Sequence, residues 1–394
     1  MKRIRKSIPA QLLALLALGA VSLCAETPAE LETLLATAAE PGLVMFEIAR
    51  QHAIAGDRKQ ALAWFEKAIA LNPEYDPSSD RDFDAMAAMP EFQALIEAAH
   101  KASPPVRRSA PAFTVAESDL IPEGLAWDAR SRKLYLGSIA KRKIVEIAPD
   151  GLVRDFIAAG QDGIGSVIGM KVDPRTNSLW ANSLSNTEGS GVFHYDLATG
   201  RLIRRYVLPA DLLFNDLEVT SKGDVFVTAT RAQALYWISA KTGRLEEWRP
   251  GLKLREANGI ALSSDQKRLF VSAFPDGVTV IDLESGSVRG LAHPASVTMA
   301  AIDGLYFHDN SLIAIQNGCI AHRVARFFLN SALDRAERAE VLERGNPLFD
   351  VPTTGAVAGG TFYFIANSQL HNYGAKGIVD RAKLRPISIL KLKL

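Results

Sequence analysis

Four oxygen-bearing side chains stand at matching places in a repeated unit of this chain: Glu123, Asn215, Asn258 and Asp303. Calcium and similar hard cations take six to eight oxygen ligands from carboxylates, amide carbonyls and water. Two carboxylates also match the charge of a divalent ion. Each of these residues taken alone is more consistent with an ordinary turn than with a metal ligand, because Asn-Gly and Asp-Gly are common turn pairs. Their shared position in the repeat favours a metal site.

The repeated unit consists of a small-residue step, an alternating apolar strand, a polar turn and a second apolar strand. Successive units start about 45 residues apart, a period typical of one four-stranded β-propeller blade per repeat. The first residue of a unit should then lie at the start of a blade's innermost strand, where residues of different blades converge. The clearest units begin at Glu123, Ile168, Asn215, Asn258 and Ile302, so that Asp303 is the second residue of its unit.

The sequence predicts an all-β fold, a six-bladed β-propeller over residues 112–394, preceded by a small α-helical tetratricopeptide-like unit over residues 26–100 and a proline-rich linker over 101–111. Phe113-Thr-Val is predicted to be an outer strand that closes the ring against the last blade. The sixth unit contains TTGAVAGGTFYFIANS and is completed by ISILKLKL at the C-terminus. The fifth unit carries an insertion over residues 329–349, in which LDRAERAEVLER is predicted to be helical.

The helical region is rich in alanine and leucine and shows a 3.6-residue period. The stretch LVMFEIARQHAIAGDRKQALAWFEKAIALNP resembles one tetratricopeptide repeat, because small, aromatic and helix-ending residues stand where that repeat requires them. These residues are Gly56, Ala61, Phe65, Ala68 and Pro73. One repeat does not form a solenoid, since about three are needed to bury a continuous core. Two interpretations remain open: a helical pair packed against the propeller, or a docking surface for a protein partner.

The first 25 residues have the composition of a bacterial secretory signal: a basic head, a short apolar stretch over Leu12 to Leu18, and small residues up to Ala25. This predicts a cleaved signal peptide and a periplasmic or secreted protein, with an uncleaved anchor as the alternative. Cleavage would remove four positive charges and change the formal charge from +1 to −3. A slightly acidic protein is a poor nucleic-acid binder. The rest of the chain contains no predicted membrane span.

The cysteines predict no internal disulfide, because Cys24 would leave with the signal and Cys319 would remain alone. Cys319 is predicted to be a small buried hydrophobic residue. None of the seven histidines is predicted to be catalytic. The chain also contains no GxSxG nucleophile motif, no paired-cysteine zinc motif and no phosphate-binding glycine loop.

Residues 112–394 resemble the gluconolactonase, regucalcin and luciferin-regenerating-enzyme family of six-bladed propellers. The short motifs that carry the resemblance are specific only through their order and spacing: Pro122-Glu123-Gly124, Ala126-Trp127-Asp128, Asn215-Asp216, Asn258-Gly259-Ile260 and Asp303-Gly304. The resemblance implies a divalent cation, usually calcium, at the mouth of the central channel. It also implies that Glu123, Asn258 and Asp303 are the side-chain ligands, and that Asn215 lies beside the metal and contacts the substrate.

Two departures from that family bear on the substrate. Sugar lactonases of the family have an arginine two residues before the Asn-Asp pair, where this chain has Leu213, and a glycine after it, where this chain has Leu217. Loss of a multi-donor group removes discrimination based on hydrogen bonds, which favours a more apolar lactone or ester. The related paraoxonases use histidines early in their second blade, but that strand reads IGMKVD here, so a histidine dyad is not supported.

These observations predict a metal-dependent hydrolase of a small-molecule lactone or ester. The cation would polarise the carbonyl, Asp303 or alternatively Glu123 would accept a proton from water, and Asn215 would orient the substrate or the developing oxyanion. The alternative is a non-catalytic binding module with a structural metal, since propellers support many unrelated functions. A bond-forming synthase is a third possibility, based on a similarity to the strictosidine-synthase-like propellers.

Overall fold

The computed structural model describes residues 27–78, 80–294 and 296–394, so the predicted signal peptide over residues 1–25 lies outside the described part of the chain. The described residues form a six-bladed β-propeller preceded by a short helical region. None of the described helices is long and apolar enough to cross a membrane. The helical region contains α1 (Pro28–Leu34), α2 (Pro41–Ile54), α3 (Arg58–Leu71), a 3₁₀ helix (Arg81–Met86) and α4 (Pro90–Ala102).

The propeller consists of six four-stranded antiparallel sheets. Blade 1 contains β2 (Pro122–Asp128), β3 (Lys133–Ser138), β4 (Lys143–Ile147) and β5 (Val153–Ile157). Blade 2 contains β6 (Ser166–Asp173), β7 (Ser178–Ser185), β8 (Gly189–Asp196) and β9 (Leu202–Leu208). Blade 3 contains β10 (Phe214–Val219), β11 (Val225–Ala229), β12 (Ala234–Ile238) and β13 (Leu245–Glu247).

The remaining blades repeat the same order. Blade 4 contains β14 (Ile260–Leu262), β15 (Arg268–Ala273), β16 (Gly277–Asp282) and β17 (Val288–Gly290). Blade 5 contains β18 (Ile302–His308), β19 (Ser311–Gln316), β20 (Arg323–Leu329) and β21 (Ala336–Arg344). Blade 6 contains β22 (Gly355–Ala358), β23 (Thr361–Ile365), β26 (Ile387–Lys393) and β1 (Ala110–Val115), with a small hairpin of β24 (Tyr373–Gly374) and β25 (Gly377–Ile378) inserted before β26.

The two ends of the propeller sequence share one sheet. β1 pairs antiparallel with the C-terminal strand β26, with Phe113 opposite Ile389. β1 is therefore the outermost strand of blade 6, as the sequence predicts. This pairing covers the edge of β26 and joins the first strand of the propeller to the last.

The prediction of a helix in LDRAERAEVLER is wrong. Residues Ala336–Arg344 form β21, which pairs along its length with β20. Alanine, glutamate and arginine favour helices intrinsically, but this preference is only tenths of a kcal/mol per residue. Pairing with β20 and burial of Ala336 and Leu342 outweigh it, so the segment is simply the fourth strand of blade 5.

The described residues divide into two compact units. The first contains residues 109–260 and 353–394, which form blades 1, 2, 3 and 6. The second contains residues 27–108 and 261–352, which form the helical region with blades 4 and 5. Within the first unit, buried clusters lie between neighbouring sheets, such as Val167 and Met170 of blade 2 with Tyr135 of blade 1.

In the second unit, the helical region packs directly on loops of blades 4 and 5. Phe46, Phe65, Phe83 and Phe92 form a network of ring contacts with centroids 5.4–5.9 Å apart, and the same buried cluster includes Ala300, Cys319 and Ile320 of blade 5. Cys319 is 7% exposed, which confirms that it is a small buried residue. Burial raises the pKa of its thiol. The helical pair is thus part of the core of this unit, and its identity as a tetratricopeptide repeat stays a prediction.

Polar contacts reinforce this packing. Glu74 accepts hydrogen bonds from Arg323 Nη1 (2.7 Å) and Arg344 Nη1 (3.0 Å), which are both buried residues of blade 5. Tyr75 pairs with Ile320 in an isolated β-bridge. Glu40, which is 5% exposed, accepts from the backbone N–H of Met299 and from the Thr298 hydroxyl. The helical region therefore holds the loops on both sides of β18 and β19.

We expect Glu74→Gln to lower the free energy of unfolding by about 2 kcal/mol, because two buried guanidinium groups lose their shared counter-charge. The partial exposure of Glu74 keeps the effect below that of a fully buried pair. Urea denaturation monitored by circular dichroism measures the change. Glu66→Gln on α3 is the control, since Glu66 is exposed and should change stability by less than about 0.5 kcal/mol. Equal stability of the two variants would contradict the expectation.

Candidate functional site

The first strands of blades 1, 2, 3 and 5 carry an irregularity at the same place. The pairing of the first and second strands shifts between Pro122 and Leu125, Val167 and Met170, Phe214 and Leu217, and Ile302 and Leu305. We call the first residue inside this shift the bulge position. The bulge positions are Glu123, Ile168, Asn215 and Asp303. In blades 4 and 6, Asn258 and Thr354 stand at the matching place in the sequence, because each directly precedes the glycine of its unit.

Glu123, Asn215 and Asp303 therefore occupy the same register position, Asn258 occupies the matching place in the sequence, and Asp303 corresponds to the first residue of the other units. Bulges occur preferentially next to active sites, where they re-aim a side chain. Glu123, Asn215 and Asn258 belong to the first unit, and Asp303 belongs to the second.

A left-handed residue stands two positions before the bulge position in four blades. Ile121, Leu213, Glu256 and Ala301 have φ values of 48°, 50°, 47° and 51°, and each stands two residues before a predicted site residue. The corresponding residues of blades 2 and 6, Ser166 and Pro352, do not have this conformation, but Val351, which precedes Pro352, is left-handed with a φ of 57°. Left-handed backbone at a β-branched or bulky residue costs roughly 1–3 kcal/mol and is concentrated at functional sites. A left-handed residue at this spacing thus coincides with the four predicted site residues.

In three of these blades, the same backbone hydrogen bond holds the left-handed residue in place. The backbone N–H of Ile139, Thr230 or Asn317 donates to the carbonyl of the left-handed residue of its own blade, at 3.0–3.1 Å. Each of these donors directly follows the second strand of its blade. The same residue position therefore lies beside the bulge position in blades 1, 3 and 5.

Neighbouring first strands approach closely next to the bulge. A Cβ atom added to Gly124 would lie 2.1 Å from the Ile168 carbonyl oxygen, and one added to Gly169 would lie 2.3 Å from the Asn215 carbonyl oxygen. Such distances exclude any side chain, which explains why glycine follows the bulge position in these blades. This close approach places the bulge positions of blades 1, 2 and 3 on neighbouring strands within the first unit.

The site residues are buried and their backbones are tied to the preceding blade. Glu123, Asn215 and Asp303 are 4%, 6% and 6% exposed, and Asn258 is half-buried. The Asn182 amide donates to the Asn215 carbonyl (3.1 Å), and the Thr228 hydroxyl donates to the Asn258 carbonyl (2.7 Å). In the same way, the Thr354 hydroxyl donates to the Glu123 carbonyl.

The orientation of the Asn215 amide follows from its neighbours. The Thr230 hydroxyl donates to the Ala257 carbonyl (2.6 Å) and therefore has only lone pairs to offer Asn215 Nδ2, at 3.1 Å. The nitrogen of Asn215 must face Thr230, and the Oδ1 oxygen must face away from it. This orientation suits an oxygen ligand or an acceptor for a substrate hydroxyl. Thr230 also brings Asn215 next to the segment that carries Asn258.

Asp216 is a candidate that the sequence analysis missed as a site residue. It follows the bulge position, where the other five blades have glycine: Gly124, Gly169, Gly259, Gly304 and Gly355. Its Oδ1 accepts from Leu217 N (2.8 Å) and its Oδ2 from Ile260 N (3.4 Å). Burial raises its pKa to about 7, against the lowering effects of the Leu217 N–H and Lys171. The break in the glycine pattern is the sequence signal that could have identified it.

The donor set fits a hard divalent cation by its chemistry. Glu123, Asn258 and Asp303 supply only oxygen and two negative charges, which suits calcium. No group of three His, Cys, Asp or Glu side chains in the described ranges is arranged to hold a metal ion.

A cavity of about 270 Å³ opens among the loops of blades 1, 2 and 6 in the first unit. Its lining combines apolar side chains, Ile164 and Leu184, with charged or polar ones, Arg142, Glu188 and Tyr373. It also includes Ser166, two residues before the bulge position of blade 2. The cavity thus lies at the end of the blades where the first strands begin.

Residues 121–307, a little less than half of the chain, match the family model described as the SMP-30/gluconolactonase/LRE-like region. The matched region contains Glu123, Asn215, Asn258 and Asp303. No curated protein matches the sequence.

Several solved structures share the fold. A gluconolactonase from Xanthomonas campestris is 16% identical with a TM-score of 0.50, over 73% of this chain and 98% of that chain. A PQQ-bound aldose sugar dehydrogenase from Streptomyces coelicolor is 14% identical with a TM-score of 0.51, over 73% and 100%. A calcium-binding protein, regucalcin, from Agrobacterium tumefaciens is 15% identical with a TM-score of 0.50, over 72% and 93%. These likenesses establish the propeller fold, and the differing activities in the three names show that fold alone does not define the reaction.

Proposed function

We propose that this protein is a divalent-metal-dependent hydrolase of a small-molecule lactone or ester, with calcium as the preferred cation. The observation that carries the proposal is the coincidence of three features in blades 1, 3, 4 and 5. Each has an oxygen-bearing residue at the bulge position, a left-handed residue two positions earlier, and a place inside the region that matches the gluconolactonase-like family model. Blade 2, with Ile168, lacks the left-handed residue, and blade 6 has its left-handed residue, Val351, three positions before Thr354.

Glu123, Asn258 and Asp303 would hold the cation, and Asn215 would lie beside it. When bound, a divalent cation would polarise the substrate carbonyl and stabilise the charge that develops on its oxygen. Asp303 would accept a proton from the attacking water, with its Oδ2 held by Asn317 Nδ2 at 2.8 Å. Glu123 is the alternative proton acceptor. Asn215, with its oxygen turned away from Thr230, would accept a hydrogen bond from the substrate or from its bound water.

The substrate that fits this chain best is more apolar than a sugar lactone. Leu213 is fully buried and left-handed, so its position serves the backbone turn before Asn215 and offers no donor to sugar hydroxyls. The cavity with Ile164, Leu184 and Arg142 on its walls suits a ligand with an apolar body and a polar end. We therefore propose lactones or esters with few hydroxyl groups as the substrate class.

A metal-stripping assay tests the proposal. We expect the purified protein to hydrolyse at least one compound of a panel of aliphatic lactones and aryl esters. Treatment with a chelator should reduce that rate more than about tenfold, and added calcium should restore it, because the cation supplies carbonyl polarisation worth several kcal/mol. A hydrolysis rate that the chelator leaves unchanged would rule out the metal-dependent mechanism.

The second candidate is a non-catalytic binding module. Leu213 favours it, because it replaces the arginine that contacts the substrate in sugar lactonases. In that case the protein would bind calcium and gain thermal stability, as expected for a ligand that binds only the folded state, yet hydrolyse nothing on a broad panel. We also propose export to the periplasm or the medium, and a protein partner for the exposed side of the helical region. Detection of the signal-free chain outside the cytoplasm would test export.

A further inference from the structure

Asn317 directly follows β19 and is fully buried. Its Nδ2 lies 2.8 Å from Asp303 Oδ2 and 2.8 Å from the Pro352 carbonyl oxygen. Its backbone N–H donates to the carbonyl of the left-handed Ala301 at 3.0 Å. Asn317 thus contacts both the bulge position of blade 5 and the backbone turn that precedes it.

The orientation of this amide is fixed by its acceptors. Two oxygen atoms face Nδ2, and a nitrogen with two N–H groups satisfies both of them. A flipped amide would place its carbonyl oxygen against the Asp303 carboxylate, which repels it. Asp303 Oδ2 therefore receives a charge-assisted hydrogen bond, and the Oδ1 side of the carboxylate faces away from Asn317. Charge-assisted hydrogen bonds are about twice as strong as neutral ones.

Blade 3 uses the same construction with different residues. Thr230, at the position of Asn317, bonds Asn215 at the bulge position and the Ala257 carbonyl of the next blade. In blade 1 the corresponding residue is Ile139, which offers no polar side chain. Polar side chains that follow the second strand thus fix the bulge residue in two of the blades that carry predicted site residues.

We infer that Asn317 is a positioning residue, which holds the Asp303 carboxylate in the orientation that a bound divalent cation requires. The inference rests on the proposed function, because it assumes that Asp303 is a ligand. A pre-oriented ligand loses less rotational freedom on binding, so the positioning residue contributes to affinity without contacting the cation. Removal of Asn317 should weaken calcium binding about tenfold, within the range that outer partners of metal ligands contribute.

Calorimetric titration of the chelator-treated, dialysed protein with calcium chloride tests this. Asn317→Leu preserves the approximate size of the side chain and removes both donors. The matched control is Asn367→Leu, since Asn367 is also buried (3% exposed) and also bonds backbone groups, Pro386 O at 3.0 Å and Ser388 N at 2.6 Å, but contacts no predicted ligand. Thermal unfolding in chelator reports the purely structural cost of each change.

We expect both variants to lose thermal stability in chelator, and only Asn317→Leu to bind calcium about tenfold more weakly than the unaltered protein. Equal calcium affinity of Asn317→Leu and the unaltered protein would overturn the inference and leave the proposed function intact. Absence of calcium binding in the unaltered protein would instead overturn the proposed cation site, and the inference with it. Should Asn317→Leu fail to fold, Asn317→Ser replaces it with the same expected weakening, because a serine hydroxyl is too short to reach both acceptors.

Discussion

Replacement of Asp303 by alanine is expected to reduce kcat for hydrolysis at least about a thousandfold. The variant loses the proposed proton acceptor, which typically contributes a factor of about 10²–10⁴, and it also loses a carboxylate ligand of the cation. The kcat of Asp303→Asn should lie between those of Asp303→Ala and the unaltered protein, because its amide retains an oxygen for the cation but cannot take up a proton. Steady-state kinetics on the best substrate of the panel, in excess calcium, measure both variants.

The control for Asp303 is Glu337→Ala, which removes an exposed carboxylate from β21 of the same blade and should leave kcat unchanged. Calcium titration of Asp303→Asn separates the two roles of the residue. Near-normal affinity with a low kcat would identify proton transfer as the main role, whereas a large loss of affinity would identify ligation. An alanine variant that retains more than about a tenth of the activity would exclude Asp303 from the mechanism.

The propeller could be predicted because its determinants are local and repeated. Five of the six units carry a residue pair such as Glu123-Gly124 or Ile168-Gly169. In blades 1 and 2 this glycine is required by the close approach of the next first strand. A requirement imposed by backbone contact recurs in every blade that makes the contact, and it is therefore visible as a period in the sequence. The pairing of β1 with β26 could also be predicted from local patterns. Each segment alternates apolar and polar residues like a strand, and a closed propeller needs an outer strand in its last blade.

The errors arose where distant contacts override local preference. The segment Ala336–Arg344 has a helix-forming composition, but pairing with β20 makes it a strand. Asn317 and Thr230 could not be identified from the sequence, because their importance depends on side-chain directions at the end of a second strand. The sequence shows Leu213 only as a replacement for an arginine, whereas in the structure it is a left-handed, buried residue two positions before Asn215.

The polar environment of blade 3 leads to an expectation about pH. Asp216 is the only residue other than glycine at its position in the six blades, and burial raises its pKa to about 7 from a reference value of 3.8. The Lys171 ammonium, which would favour its charge, is engaged in an ion pair with Glu218. The folded protein therefore binds a proton at Asp216 that the unfolded chain has already released at moderately acidic pH.

This difference fixes the sign of the effect. A carboxyl group with a raised folded-state pKa contributes stability at low pH and loses it as the pH rises from about 4 to about 7. Asp216→Asn removes that dependence, because an amide does not titrate. We expect the free energy of unfolding of Asp216→Asn, relative to the unaltered protein, to increase by about 2 kcal/mol between pH 5 and pH 8. The partial exposure of Asp216 keeps the change below the full linkage value.

Urea denaturation in the presence of a chelator, at pH 5, 6, 7 and 8, measures this difference, and the chelator removes the competing effect of a bound cation on the carboxylate. Other titrating groups, such as the buried Glu40 with its raised pKa, are common to both proteins and cancel in the comparison. Asp150→Asn, at an exposed turn, should show a difference that stays constant with pH. A constant difference for Asp216→Asn as well would mean that Asp216 titrates as an ordinary solvated carboxylate, and that the bulge of blade 3 is open to water.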